Sequence, residues 1–341
     1  MRILLTATQV PFVQGGAELH MSALMQALRA CGHEVELLRV PFCFWPEAAV
    51  EQAMAFCVHF DLSQLSVPPD KVISLQFPAY GMSYQDTVVW LMHQHRAVYE
   101  LYGKVGSETP ALAALREKIV AFDNHALSRA KRLFANSRRV AERLYRYNGL
   151  EAEPLYHPPP DAGRFYSGEI WNYVLAPSRL ESLKRQDLLI EAARLVKAPV
   201  SFVLLGEGGQ RQAYEAKIAR LNLKDKVWLA GLRPRQEQIA WYAHALAVFF
   251  GPHDEDYGYV TLEAMLAGRP VVTCTDSGGP LEFVQHGITG LVVEPEPEAV
   301  AEAIDALWAD RGRAKAMGEA GREAILALDL KWEKVVAKLL A

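Results

Sequence analysis

The stretch YVLAPSRLESLKRQDLLIEAARLVKAPVSFVLLG, residues 173–206, decides how the chain is read. Two short apolar runs, Tyr173 to Ala176 and Ser201 to Leu205, flank a segment of helical length, the pattern of a βαβ unit in a parallel sheet. Toward the C-terminus the alternation continues through Val227 to Ala230, Ala247 to Phe250, Pro270 to Thr273 and Gly290 to Val293. Toward the N-terminus it recurs at Arg2 to Ala7, Glu34 to Leu38, Val72 to Leu75, Val88 to Met92 and Leu133 to Ala135. The expected fold class is therefore α/β. A chain of 341 residues exceeds what one core usually organises, so the two series are read as two Rossmann-like domains.

Tyr156-His-Pro-Pro-Pro-Asp-Ala-Gly separates the series, and its three prolines remove backbone donors and fix φ, so neither a helix nor a central strand continues through it. The division expected is an N-terminal domain over 1–160, a C-terminal domain over 161–320, and a terminal helix in 321–341. That helix, from about Gly321 to Leu340, places Ile325, Leu328, Trp332, Val335, Val336 and Leu339 near a 3.6-residue period. One face must pack on something, with the N-terminal domain as a candidate.

Half of the residues are hydrophobic and 22% are charged, which excludes disorder, collagen and coiled coil. A net charge of −4 argues against a dedicated nucleic-acid binder. Cys31, Cys43, Cys57 and Cys274 form no Cys-x-x-Cys pair, so neither a zinc site nor a disulfide framework is suggested, and a reducing, cytoplasmic setting fits. No apolar run approaches the roughly 18 residues of a spanning helix, so the protein is expected to be soluble or to sit on a membrane surface.

Four places carry candidate chemistry. Gly15-Gly16-Ala17-Glu18 follows the first strand and opens a helix expected over Glu18 to Arg29, where glycines admit a ligand to the backbone and the helix N-terminus favours an anion; a plain tight turn looks the same. Gly206-Glu-Gly-Gly209 is a second such turn. Arg179 and Lys184 follow the strand at Tyr173, at the carboxyl edge where open α/β sheets bind ligands, and can hold a diphosphate; surface cations capping a helix are the bland alternative. Finally, Glu255 lies in the loop after Ala247 to Phe250, and Glu263 is expected to begin a helix ending near Gly268. Two carboxylates so spaced can address different hydroxyls of one polyol, while the bland reading of Glu263 is an acid favoured by the helix dipole. The Gly-x-Gly-x-x-Gly dinucleotide fingerprint and the Walker lysine loop are both missing from the sequence.

In their order and spacing these segments resemble glycosyltransferase family 4, retaining enzymes of the GT-B fold. The likeness runs through Gly15-Gly16-Ala17-Glu18, His93 in WLMHQHR, Ala135-Asn136-Ser137, the Pro158 region, Ser178-Arg179 with Lys184, Gly206-Glu-Gly208 and the Glu255/Glu263 pair. The resemblance implies two Rossmann-like domains facing across a cleft, a nucleoside-diphosphate sugar (UDP- or GDP-linked) as donor, and no cofactor. It implies that Arg179 and Lys184 neutralise the donor diphosphate, Glu263 binds the ribose hydroxyls, Glu255 and the backbone of Asp256, Tyr257 and Gly258 hold the donor sugar, Gly15 and Gly16 approach the phosphate, and His93 faces the sugar. His93, Arg179, Lys184 and Glu255 are the expected catalytic group. The family usually reads Glu-Gly-Phe-Gly where this chain has Glu255-Asp256-Tyr257-Gly258, so donor-sugar recognition is expected to differ in detail.

The implied reaction is retaining transfer of a hexose to a hydroxyl of a glycan or lipid-linked acceptor, by the family's habit in bacterial surface-polysaccharide synthesis. Arg and Lys would stabilise charge on the departing phosphate where other enzymes use a metal, so metal independence is expected. The segment Arg129 to Arg146, with seven cations and the single acid Glu142, can touch an anionic membrane face or be a solvated helix face. A GT-B sugar-nucleotide epimerase and a non-catalytic nucleotide-sugar binding protein are the competing readings.

Overall fold

A computed structural model describes residues 1–13, 15–104 and 108–341. The chain forms two compact units, Met1–His157 with Lys331–Ala341, and Pro158–Leu330. In the first, β1 (Arg2–Gln9), α1 (Gly16–Ala30), β2 (Glu34–Pro41), α2 (Glu47–His59), β3 (Lys71–Ser74), β4 (Thr87–Leu91), α3 (Pro110–Ser128), β5 (Arg132–Ala135), α4 (Arg138–Asn148) and β6 (Glu153–Pro154) follow one another. The strands make one parallel sheet in the order β2-β1-β3-β4-β5-β6. β1 is buried over six consecutive residues, because helices cover both faces of a parallel sheet. Helix ends follow their caps: Ser137 accepts from the Val140 N–H at 3.1 Å to start α4, and Gly149 at φ 67° ends it.

The second unit holds β7 (Tyr173–Pro177), α5 (Gln186–Leu195), β8 (Ser201–Leu205), α6 (Arg211–Arg220), β9 (Val227–Gly231), α7 (Arg235–His244), β10 (Ala247–Phe249), α8 (Tyr259–Leu266), β11 (Val271–Cys274), β12 (Gly290–Val293), α9 (Pro297–Ala309) and α10 (Arg311–Ala327). Its sheet is also parallel, in the order β12-β11-β10-β7-β8-β9. The core joins Val174, Phe202, Leu204, Ala247, Phe249 and Val272 of the sheet to Leu189, Ile190, Val300 and Ile304 of the helices.

Three expectations are corrected. The segment from Gly321 to Leu340 is not one helix: α10 runs from Arg311 to Ala327, Asp329 takes φ 46°, and α11 (Trp332–Leu340) starts anew. Ile325 is buried within the second unit's segment, whereas Val335, Val336 and Leu339 pack with Ile3, Leu5, Leu24 and Trp90 of the first. Apolar spacing continues across the break, so periodicity conceals it, and the unit boundaries fall at 157/158 and 330/331 rather than at 160/161 and 320/321. Glu263 does not begin its helix. α8 starts at Tyr259 behind Gly258, whose φ of 87° ends the preceding loop, so Glu263 is mid-helix and the dipole argument does not apply to it. Finally, β6 is a two-residue edge pairing too short to register as an apolar run.

Candidate functional site

In the second unit the strand order reverses between β7 and β10, so the loops leaving these two neighbours diverge and open a crevice at their carboxyl ends. The loop after β7 carries Arg179 and Lys184, and the loop after β10 carries Glu255. Lys184 Nζ lies 2.5 Å from Glu255 Oε2, each side chain being 17% exposed, and 5.7 Å over the Phe250 ring. Arg179 is exposed, and its guanidinium makes no ion pair with another described residue. The resemblance assigned Lys184 to the diphosphate and Glu255 to the sugar, and without ligand each serves as the other's counter-ion.

The position of Glu255 comes from its backbone. Its N–H donates to Ser277 O at 2.8 Å and its carbonyl accepts from Gly279 N–H at 2.8 Å, a parallel bridge to Gly278. Gly278 sits at φ 73°, and a Cβ there would lie 2.6 Å from the Glu255 carbonyl oxygen, so only glycine lets these two chains meet. Tyr257 is buried against the Tyr259 and Phe283 rings, which anchors the loop that continues through Asp256 to Gly258. Lys184, Glu255, Asp256, Tyr257 and Gly258 thus belong to one local cluster.

Glu263 is buried in α8. Oε1 accepts from Arg235 Nη2 at 2.6 Å and Oε2 from the Tyr242 hydroxyl at 2.6 Å. Burial pushes its carboxyl above the usual range, against the opposing charge of Arg235 and the Tyr242 hydrogen bond. Arg235 also donates to Pro160 O at 2.9 Å and Asp161 Oδ2 at 3.2 Å, tying the proline-rich segment to α7. Each Glu263 oxygen keeps a second lone pair for a further hydrogen bond. Arg235 and Tyr242 were not foreseen, since nothing in local spacing couples residues 21 and 28 positions from Glu263.

The first unit reverses its order between β1 and β3, and a pocket opens there, lined in part by Thr8, Phe42, Phe44, Gln76, Phe77, His93 and His95. Gln76 Oε1 accepts from both the N–H and the hydroxyl of Thr8 at 3.1 Å, which leaves its amide nitrogen as the group free to donate. His93 follows the end of β4, and its Nδ1 lies 2.8 Å from the Gln94 carbonyl. That oxygen can only accept, so Nδ1 carries a proton and donates to it. His95 stacks on Phe44 with centroids 6.1 Å apart, and burial, with the nearby His93 adding to it, brings its pKa down to about 4. Gly15 caps α1 and gives its N–H to Glu18 Oε2 at 3.1 Å, while Glu18 Oε1 accepts from Arg39 at 3.1 Å. The Gly15 N–H is therefore already satisfied by the helix it starts, whereas Gly16 is the first residue of α1.

The predicted residues divide between the units: Gly15, Gly16 and His93 in the first, Arg179, Lys184, Glu255 to Gly258 and Glu263 in the second. Residues 169–324, nearly all of the second unit, match the family model described as glycosyl transferases group 1. The GDP-mannose-dependent alpha-(1-6)-phosphatidylinositol monomannoside mannosyltransferase of Mycobacterium tuberculosis is 37% identical over 179 residues, covering 49% of this chain and 46% of that protein. The chain thus spans about half the length of this relative. Among solved structures, sucrose-phosphate synthase from Thermosynechococcus elongatus superposes with a TM-score of 0.79 at 20% identity over 99% of this chain and 97% of its own. Anabaena Alr3699/HepE in complex with UDP and glucose gives 0.73 at 19% identity, over 100% and 99%. The chain has the two parallel six-stranded sheets of the GT-B fold, and its second unit is similar, over residues 169–324, to the glycosyl transferases group 1 family.

Proposed function

We propose that the protein is a retaining glycosyltransferase that moves a hexose from a UDP- or GDP-linked sugar to a hydroxyl of a glycan or lipid-linked acceptor. The observation that carries this reading is the Lys184–Glu255 pair at the second unit's switch point, with Arg179 exposed on the same loop after β7 and in no ion pair with another described residue. A diphosphate brings the negative charge that Arg179 lacks and that Lys184 now finds in Glu255. As the sugar–phosphate bond breaks, charge builds on the leaving phosphate, and preorganised cations are most effective at that position. Lys184 moving its charge toward phosphate would release the Glu255 carboxylate to accept hydrogen bonds from sugar hydroxyls.

In the retaining route we favour, the acceptor hydroxyl oxygen bonds to the anomeric carbon on the face from which the phosphate departs. The carbon–oxygen bond to phosphate breaks, and the hydroxyl proton passes to a phosphate oxygen. No metal is required, because Arg179 and Lys184 supply the positive charge. His93 is assigned to the donor sugar and Gly16 to the donor phosphate, as the resemblance implies, and the aromatic wall of the first unit's pocket to the acceptor. The names of the relatives support a nucleotide-sugar donor, one being GDP-mannose-dependent and one solved with UDP and glucose. We place the protein in the cytoplasm, in surface-polysaccharide assembly, with peripheral contact at the membrane face; among the described residues no helix is long and apolar enough to cross a membrane.

The test is a panel of UDP-, GDP-, ADP- and dTDP-sugars, following thermal shift and nucleoside diphosphate release with and without EDTA. A true donor at a hundred times its Kd adds roughly 2.7 kcal/mol of stability. Stabilisation by one base, with release insensitive to EDTA, supports the reading. Indifference to every nucleotide sugar overturns it, and conversion of the donor to an epimeric free sugar without transfer favours the epimerase.

A further inference from the structure

Arg185 occupies a backbone conformation that side chains avoid, φ 51° and ψ 38°, between the short turn carrying Lys184 and the start of α5. Glycine adopts it without steric cost, so an arginine kept there signals a role for its side chain. The guanidinium, 18% exposed, uses four bonds: Nε to Gly251 O at 2.7 Å, Nη2 to Pro252 O at 2.8 Å, and a two-point fork on Asp276 from Nη1 at 2.9 Å and Nη2 at 2.6 Å. Burial raises the Asp276 carboxyl, but the Arg185 fork outweighs it and holds the group below the ordinary range.

All three acceptors lead to Glu255. Gly251 and Pro252 open the loop that carries it, and Asp276 precedes Ser277, whose carbonyl takes the Glu255 N–H. The same three chain segments are sewn by His253 N–H to Leu183 O at 2.8 Å, Asp254 N–H to Asp276 O at 2.9 Å, and His253 Nδ1 against Asp276 Oδ2 at 3.2 Å. We infer that Arg185 is a positioning residue, a staple that fixes the Lys184 loop against the Glu255 loop so that Nζ and the carboxylate are held together. The backbone strain at 185 is retained for that purpose. The inference rests on the reading of this cluster as the donor site.

Two variants separate positioning from mere stability. Arg185→Ala loses the fork and keeps the strained backbone, whereas Arg185→Gly loses the fork and relieves the strain, so the glycine variant should melt higher. If the residue only stabilised the fold, activity would track melting temperature. We expect both variants to lose about a hundredfold in kcat for nucleoside diphosphate release, the scale of a misplaced reacting group, with donor KM changing far less. Amide hydrogen exchange at His253, Asp254 and Glu255 should accelerate in both. Unchanged exchange at those amides overturns the staple whether or not the protein turns over any donor. Accelerated exchange with undiminished kcat overturns its link to catalysis. A wild-type protein that releases no diphosphate refutes the transferase reading separately, while the exchange data still decide the staple.

Discussion

The two units solve one placement problem with opposite chemistry. Each has a parallel six-stranded sheet, and each carries candidate side chains where the strand order reverses, between β1 and β3 in the first and between β7 and β10 in the second. At the second reversal the loops carry Arg179, Lys184 and Glu255, while Arg235 of α7 pairs with the buried Glu263 of α8. At the first stand Phe42, Phe44, Phe77 and a histidine kept neutral by burial, with amide and imidazole groups as the polar complement. Topology chooses the place and side chains choose the ligand. Fixed ionic groups suit a diphosphate whose charge grows during reaction, and aromatic walls with a few directional hydrogen bonds suit the apolar face and hydroxyls of a ring.

The comparison breaks most sharply at Lys184. Lys184→Ala should lower nucleoside diphosphate release by about 10²- to 10³-fold, the loss typical of removing one preorganised charge stabiliser. A loss of only a few-fold in steady-state assays would move the donor phosphate away from β7. Next is Glu263→Ala, which leaves Arg235 with Asp161 as its remaining counter-ion and removes the partner of the buried Tyr242 hydroxyl. Breaking such a pair should cost roughly 3 kcal/mol, read as a fall in the urea midpoint of the second unit. An unchanged midpoint would mean the pair is structurally idle and its carboxylate is held only for ligand.

How much of this was legible in the sequence depends on the range of the interaction. Eleven of the twelve strands among the described residues have apolar runs or β-rich patterns that local composition reveals, and the loops bearing Arg179, Lys184 and Glu255 follow from strand ends. The contacts among them do not. Arg185 meets Asp276 across 91 positions and Lys184 meets Glu255 across 71, distances at which spacing carries no signal. Gly278 carries no signal in the sequence beyond a neighbouring glycine, and its need for φ 73° emerges once the Glu255 backbone lies against it. The break between α10 and α11 was concealed for the opposite reason, a local period that runs on although its two halves serve different cores.

A pH titration tests the contrast between paired and uncharged burial. In the first unit His20 stacks on His157 with centroids 4.2 Å apart and meets Trp90 edge-on at 4.2 Å. Burial drives His20 down to about 3 and, with the charge of His20 added, drives His157 well below its ordinary value. The unfolded chain takes up these protons near pH 6.5 while the folded one refuses them, so stability is lost as the pH falls from about 6.5 toward 3. One such histidine accounts for about 1.4 kcal/mol per pH unit, or roughly 2 kcal/mol between pH 6.5 and 5. His20→Leu should flatten the acid limb of urea midpoints by one proton's worth, and parallel curves for variant and wild type would show that the cluster admits protons when folded.

The smallest effect is expected at Phe44, and it discriminates most between the two regions. Phe44 is 61% exposed, packed edge-on to Phe42 at 5.0 Å and stacked on His95 at 6.1 Å, so truncation costs the fold little. If its face is a platform for the acceptor ring, Phe44→Ala should raise acceptor KM by about two- to tenfold, the worth of one aromatic contact. Donor hydrolysis in the absence of acceptor should stay at the wild-type rate, because Phe44 belongs to the first unit and the Lys184–Glu255 cluster to the second. Both rates falling together would mean that the first unit's aromatic pocket also holds the donor, and the division of labour between ionic and aromatic reversals would have to be abandoned.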